Sequence, residues 1–208
     1  MAQNVATQRR GERVFAALSP GDLLLLAGRP GHGKTLVGLE LAIAAARSGR
    51  DAWFFTLEET ESGLLNRMRA LAIEPSKIPS RFGLDTSEAI SANYVMDRLS
   101  KAGPRAVAVI DYLQLLDQQR SKPELDVQVR ALRRFAHRSD VIIVTLSQVD
   151  RAFEKGGHAM PTLADVRLPN PVDLRLFSRT CFLHGGEMRL DRMPQVQAIE
   201  GARPIDFP

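Results

Sequence analysis

The chain has 208 residues, 44% hydrophobic and 25% charged, with one cysteine. That length and balance suit one α/β domain with a substantial core, and they exclude an internal disulfide and a low-complexity chain. The net charge of +4 is compatible with nucleic acid and equally with an ordinary solvated surface. No apolar stretch approaches the roughly 20 residues that a membrane-spanning helix needs.

Residues 1–12 are polar and patternless and read as a flexible arm or interaction segment. Arg9 and Arg10 are followed by no apolar stretch of signal-peptide type, and the expected location is the cytoplasm. Asp22 to Ala27 is a short apolar run, as in a buried strand, and Leu36 to Arg47 has helical composition. Ala52 to Leu57 reads as a second strand, Glu61 to Ala72 as a helix, Pro75 to Ser80 as a loop and Arg81 to Leu84 as a short strand. Ile90, Tyr94, Val95 and Leu99 define an amphipathic helix that ends near Gly103-Pro104. Ala106 to Asp111 is a buried strand, Leu125, Val129, Leu132 and Ala136 line a helix, and Val141 to Leu146 is the next strand. Arg179 to His184 is read as the last strand. It contains Cys181, whose apolar setting marks a buried inert thiol. Strands separated by helices imply a mostly parallel, twisted sheet with helices on both faces. The expected organisation is an arm over 1–12, one domain over 13–193 and an irregular tail over 194–208. Residues 151–177 carry Gly156, Gly157, Pro161, Pro169 and Pro171 with little periodicity, and a connection of that length is usually functional or disordered.

Chemistry enters between the first strand and the first helix. Gly28-Arg29-Pro30-Gly31-His32-Gly33-Lys34-Thr35 is G-x-x-x-x-G-K-[ST], the phosphate-binding loop of nucleoside triphosphatases. Glycines let backbone N–H groups close around phosphates, Lys34 brings a point charge to the β- and γ-phosphates, and the Thr35 hydroxyl ligates Mg²⁺. The helix that follows turns its positive dipole end toward the anion. ATP and Mg²⁺ are therefore the expected cofactors, with residues 29–36 (Arg29, Pro30, Gly31, His32, Gly33, Lys34, Thr35 and Leu36) as the nucleotide cradle. Asp111 ends an apolar strand, the place from which a carboxylate holds the Mg²⁺ water shell. Glu58 and Gln148 fall beyond the carboxyl ends of other strands, on the same rim. A carboxylate at Glu58 can polarise an attacking water, while the alternative reading makes Glu58, Glu59 and Glu61 acids at a helix N-terminus. Arg120 and Lys122 follow Asp111, and Arg151, Lys155 and Arg167 follow Gln148. These five are the candidate nucleic-acid contacts.

Four blocks resemble one family. The stretch 24–35, LLLAGRPGHGKT, looks like the opening of the motor domain of DnaB-type replicative helicases. Phe54 to Glu58, FFTLE, is similar to that family's FFSLE strand. Val109 to Leu116, VIDYLQLL, resembles its IDYLQL segment, and Leu146 to Arg151, LSQVDR, resembles LSQLNR. The order and spacing agree, and the resemblance covers roughly 14–184. It implies a RecA-like ATPase in which Glu58 activates water, Asp111 serves Mg²⁺, and Gln148 senses the γ-phosphate and relays its state to DNA-binding loops. It further implies single-stranded DNA as partner and a nucleotide-dependent ring or filament of identical subunits.

The chain also departs from the family. It leaves no room for the helical N-terminal domain and linker. Ala164 to Leu168 keeps only the start of the DLR-containing stretch. The family's K-x-R-x-G hairpin, which reaches a neighbour's nucleotide, has no clear counterpart after Gly186, where Arg189 and Arg192 are the basic candidates. Two expectations follow. One is an Mg-ATP hydrolase coupled to single-stranded DNA. The alternative is a degenerate nucleotide-dependent switch or accessory subunit that binds ATP and a protein partner with little hydrolysis.

Overall fold

A computed structural model describes residues 9–194 except Leu57, Glu59, Leu71, 117–121 and Pro169. Among the described residues one seven-stranded sheet runs β3-β2-β4-β5-β1-β6-β7. Its strands are β1 (Leu23–Gly28), β2 (Ala52–Thr56), β3 (Phe82–Asp85), β4 (Val107–Asp111), β5 (Ile142–Gln148), β6 (Arg179–His184) and β7 (Glu187–Arg192). Strands β1 to β6 are mutually parallel, and β7 pairs antiparallel with β6. Parallel neighbours require crossovers, and the helices α1 (Arg10–Ala17), α2 (Lys34–Arg47), α3 (Glu61–Ala70), α4 (Ala92–Ser100) and α5 (Leu125–Ser139) cover the two faces.

The pleat sorts the core. Leu23, Leu25 and Ala27 point to the face packed by α4 and α5, where Val95, Leu99, Val129 and Leu132 lie. Leu24 and Leu26 point to the face covered by α1, α2 and α3, against Val14, Leu39, Ile43 and Leu64. An apolar run buried on both sides is what a central parallel strand needs. Cys181 is fully buried in this core, and burial pushes its thiol up to about 12, so it is an inert side chain as expected.

Three sequence expectations need correction. The arm over 1–12 is too long at its inner end, because Arg10–Ala17 is a helix. Val14 is buried on α2, and the Gly11 amide donates to Glu40 Oε2 at 3.0 Å. Its short length and single buried apolar turn hid it from periodicity. Residues 1–8 lie outside the described residues. Arg179–His184 is not the last strand: Gly185 and Gly186, both at positive φ, turn the chain into β7. Charged residues alternating with Met188 and Leu190 in EMRLDR are what a half-exposed edge strand allows. The connection over 151–177 is neither regular nor structureless. Its described residues include 3-10 turns at Arg151–Lys155, Leu163–Asp165 and Leu174–Leu176. Pro194 is the only described residue of the expected tail.

Candidate functional site

The carboxyl ends of β2, β4, β5 and β1 form one rim. Register places Thr56 beside Asp111 and Gly28 beside Gln148. The phosphate loop leaves β1 at Gly28, where an added Cβ would stand 2.9 Å from the Leu183 carbonyl oxygen. Glycine is needed there because β6 runs close by, not because a ligand does. Gly31 and Gly33 are at φ 81° and 87°, and a Cβ on either would meet nothing within 4 Å. Backbone conformation, with open space above it, explains those two. Helix α2 begins at Lys34, two residues before the expected Leu36, so its first amides face the loop.

Thr35 Oγ1 donates to Asp111 Oδ2 at 2.9 Å, and Asp111 is buried. This brings together the hydroxyl and the carboxylate expected at a Mg²⁺ site. They fit that ion, which typically takes one or two protein oxygens and leaves the rest to water and phosphate. Among the described residues no cluster of three or more His, Cys, Asp or Glu could cage a metal unaided. Lys34 Nζ donates to the Arg29 carbonyl at 3.2 Å, folded over the loop it serves. Burial draws the Lys34 ammonium below its ordinary value, and the fields of Asp111 and Glu58 oppose that. Glu58 is exposed, and its amide donates to Thr56 Oγ1 at 3.1 Å. Its carboxylate is close enough to push the Tyr112 phenol up, second to burial itself, while Arg167 pulls the phenol down.

The rest of the cradle is braced from the side. Arg29 Nε donates to Glu154 Oε1 at 2.8 Å and Nη1 to the Val149 carbonyl at 3.3 Å, tying the phosphate loop to the turn after β5. The Arg29 side chain is thus committed to protein, while its carbonyl accepts from Lys34. The His32 ring lies 5.0 Å from the His184 ring, which meets Phe153 edge-on at 5.0 Å. Pro30 is exposed, and Leu36 packs against the core below α2.

A protein-family comparison decides what this arrangement belongs to. The model for the DnaB-like helicase C-terminal domain matches residues 9–82 and 74–172. The chain belongs to that family. Replicative DNA helicase DnaB of Haemophilus influenzae is 28% identical over 196 residues, which cover 78% of this chain and 42% of the helicase. The chain therefore spans less than half the length of that relative. Among solved structures, a DnaB-like replicative helicase studied with primase superimposes with a TM-score of 0.65 at 19% identity, covering 83% of this chain and 54% of that one. The flagellar accessory protein FlaH of Methanocaldococcus jannaschii superimposes with a TM-score of 0.56 at 13% identity, covering 88% of this chain and 82% of that one. At such identities the two structures establish the shared fold alone.

Within this DnaB-like domain the candidate nucleic-acid residues are divided. Arg151, Lys155 and Arg167 are exposed on the segment after β5. That segment borders a groove of about 670 Å³ lined in part by Phe153, His158 and Arg167. Lys122 instead donates to the Glu88 carbonyl at 3.0 Å and the Ile90 carbonyl at 2.8 Å, which leaves one of its three N–H donors. Arg120 lies outside the described residues. Of the two hairpin candidates, Arg189 donates to the Pro161 carbonyl at 2.8 Å and to Asp191 at 3.0 Å, and sits over the Phe182 ring. Arg192 is exposed at the far end of β7, paired in register with Arg179. The β6–β7 turn itself carries His184, Gly185, Gly186 and Glu187, with no lysine or arginine at its tip.

The linear sequence assigns no role to Glu154, His184, Tyr112, Gln114 or Ser147. Glu154 and His184 are invisible in a linear reading, since the partner of Glu154 lies 125 residues away and those of His184 lie in the loops after β1 and β5. Gln114 and Ser147 could have been noticed as polar residues inside apolar segments.

Proposed function

We propose that the chain is a DnaB-like ATPase that binds Mg-ATP in the loop 28–35, hydrolyses it and couples turnover to single-stranded DNA. The observation that carries the reading is the hydrogen bond from Thr35 to the buried Asp111, on a rim shared with Lys34, Glu58 and Gln148. When bound, Mg²⁺ would supply charge neutralisation at the phosphates, held through Thr35 and Asp111. Lys34 compensates phosphate charge, and the loop amides with the α2 N-terminus orient it. Glu58 accepts the proton of an attacking water, and Gln148 reads whether the terminal phosphate is present. Arg151, Lys155 and Arg167 contact the nucleic-acid backbone. Active species are nucleotide-dependent assemblies, since sites of this kind are completed by a neighbour.

A second reading rests on one observation: the β6–β7 turn has no basic tip, and Arg189 is committed to its own subunit. A group inserted from a neighbour can supply about 10³-fold or more in rate. Without it the domain is a nucleotide-dependent switch or accessory subunit that hydrolyses little. FlaH, an accessory protein by name, shows that this fold is not confined to helicases.

Calorimetry with a non-hydrolysable ATP analogue, with and without Mg²⁺, followed by titration of a single-stranded oligonucleotide at several salt concentrations, tests both. The first reading predicts Mg²⁺-dependent binding, and then DNA binding whose salt slope falls by about one unit for each phosphate contact removed at Arg151 and Lys155. Analogue binding with no DNA binding at low salt selects the switch. No analogue binding sinks both.

A further inference from the structure

Gln114 lies in the 3-10 turn Leu113–Leu115, three residues after Asp111, and only 7% of it is exposed. Its side-chain amide spans three segments. Nε2 donates to Ser147 Oγ at 2.9 Å and to the Arg167 carbonyl at 2.6 Å. Ser147 is the residue before Gln148 on β5. The Arg167 amide returns to the same place, donating to the Gln148 carbonyl at 2.8 Å. Beside it, Val149 bridges Val166, and the Asp150 amide donates to the Asp165 carbonyl at 2.8 Å.

The amide orientation follows from chemistry. A main-chain carbonyl can only accept, so the nitrogen must face Arg167. Gln114 Oε1 is then buried with no hydrogen-bond partner among the described residues. An unsatisfied buried acceptor costs roughly 1–3 kcal/mol, which an apolar side chain in the same turn would not incur. Packing alone therefore gives no reason for glutamine here. What only glutamine's two N–H donors supply is a simultaneous hold on β5 next to Gln148 and on the loop that carries Arg167.

We propose that Gln114 is a positioning residue that makes the 163–168 loop follow the nucleotide state read at Gln148. The inference rests on the proposed function, since it needs a nucleotide in the loop 28–35. A displacement of Gln148 moves its carbonyl against the Arg167 amide, while Gln114 grips the Arg167 carbonyl from the Asp111 side. The loop is thus held between the strand that ends at the metal side and the strand that ends at the sensor. Arg167, one of the nucleic-acid candidates, travels with it.

Hydrogen exchange on the full chain reads this directly. The Arg167 amide is followed with and without a non-hydrolysable ATP analogue and Mg²⁺, with analogue affinity measured in the same samples. In the parent protein the analogue changes exchange at Arg167 by about tenfold or more. In Gln114→Leu that response falls below about twofold, with analogue affinity within about threefold of the parent. Gln114→Glu adds a readout that a purely structural role would not give. Ionised, Glu at this position has no donor for the Arg167 carbonyl, and the response is lost. Protonated, it donates to that carbonyl while the Ser147 hydroxyl turns to donate to its other oxygen. Burial raises such a carboxyl, so the response returns on going from about pH 8 to about pH 6, each compared with its own nucleotide-free control. A parent-like response in both variants, or in Gln114→Glu at both pH values, overturns the proposal. A parent that binds the analogue tightly without any change at Arg167 also overturns it and leaves ATP binding standing. A parent that does not bind the analogue refutes the proposed function, and the relay with it.

Discussion

The phosphate loop and the segment after β5 touch each other, yet they are held in place by different means. The loop is set by its immediate neighbours in the chain: a fully buried strand before it, a helix after it, and glycines at positive φ between. The segment after β5 is set by residues far away in sequence. Gln114 holds the Arg167 carbonyl, Arg29 holds Glu154, and a single antiparallel bridge joins Val149 to Val166. Structure fixed by local backbone preference and core burial resists change. The segment after β5 also buries Phe153, Val166 and Phe177 in the core, and between those anchors its polar contacts at the rim can shift without disturbing the sheet. The proposed coupling of phosphate chemistry to movement needs one region of each kind.

The contrast can be broken most severely at the loop. Lys34→Ala removes the charge that faces the phosphates, and steady-state phosphate release is expected to fall about 10²- to 10³-fold, the size of effect seen when one preorganised stabilising group is lost. Parent-like turnover in Lys34→Ala would remove the phosphate-loop assignment. Glu58→Gln separates binding from chemistry. Analogue binding persists while turnover drops roughly 10²- to 10⁴-fold, and Glu59→Gln, the neighbouring acid, leaves turnover nearly unchanged. Equal rates in Glu58→Gln and the parent would return Glu58 to the role of a helix N-terminal acid.

Stability should divide along the same line. Phe54 is fully buried in the sheet, and Phe54→Ala is expected to cost about 3–5 kcal/mol in denaturant melts. Asp165 only closes a turn, where its carboxylate accepts from the Thr162 amide at 2.8 Å. Asp165→Ala should cost about 0.5–2 kcal/mol and register as faster exchange confined to the segment after β5. A global loss in Asp165→Ala as large as that in Phe54→Ala would show that the two regions unfold as one unit.

The smallest effect belongs to the link between them. Arg29 holds the Glu154 carboxyl below its ordinary value, through the hydrogen bond first and charge second. A lowered folded-state value means that the contribution of this pair is present above the unfolded-state value and is lost as pH falls through the folded one. A carbon-detected titration of Glu154 should show a midpoint below the usual carboxylate range, moving back up in Arg29→Ala. An unchanged midpoint would mean that the two side chains do not pair in solution.

The same division explains what could be read from the sequence. The Leu23–Gly28 strand, the loop and α2 announce themselves because each is dictated by residues within a few positions, and burial on both faces makes the strands continuous apolar runs. Asp111, Glu58 and Gln148 were legible because a parallel sheet brings its strand ends to one rim. The 3-10 turns over 151–177, the Arg29–Glu154 pair and the Gln114 contacts were not, because their partners are chosen by the tertiary fold. Helix α1 escaped because its eight residues present few buried positions, and β7 because an edge strand tolerates the charges that disguise it. Glycine at 28 is dictated by the close approach of β6, a neighbour that no linear reading contains.

The proposed function is ATP hydrolysis governed by single-stranded DNA. The direct measurement is phosphate release per chain, in Mg²⁺, across a wide range of protein concentration, with and without single-stranded DNA, and with light scattering on the same samples. The account predicts a rate per chain that rises with concentration and rises further with DNA, in step with a shift to larger species, as linkage between ligand binding and assembly requires. A monomer throughout, with a rate independent of concentration and of DNA, would contradict it.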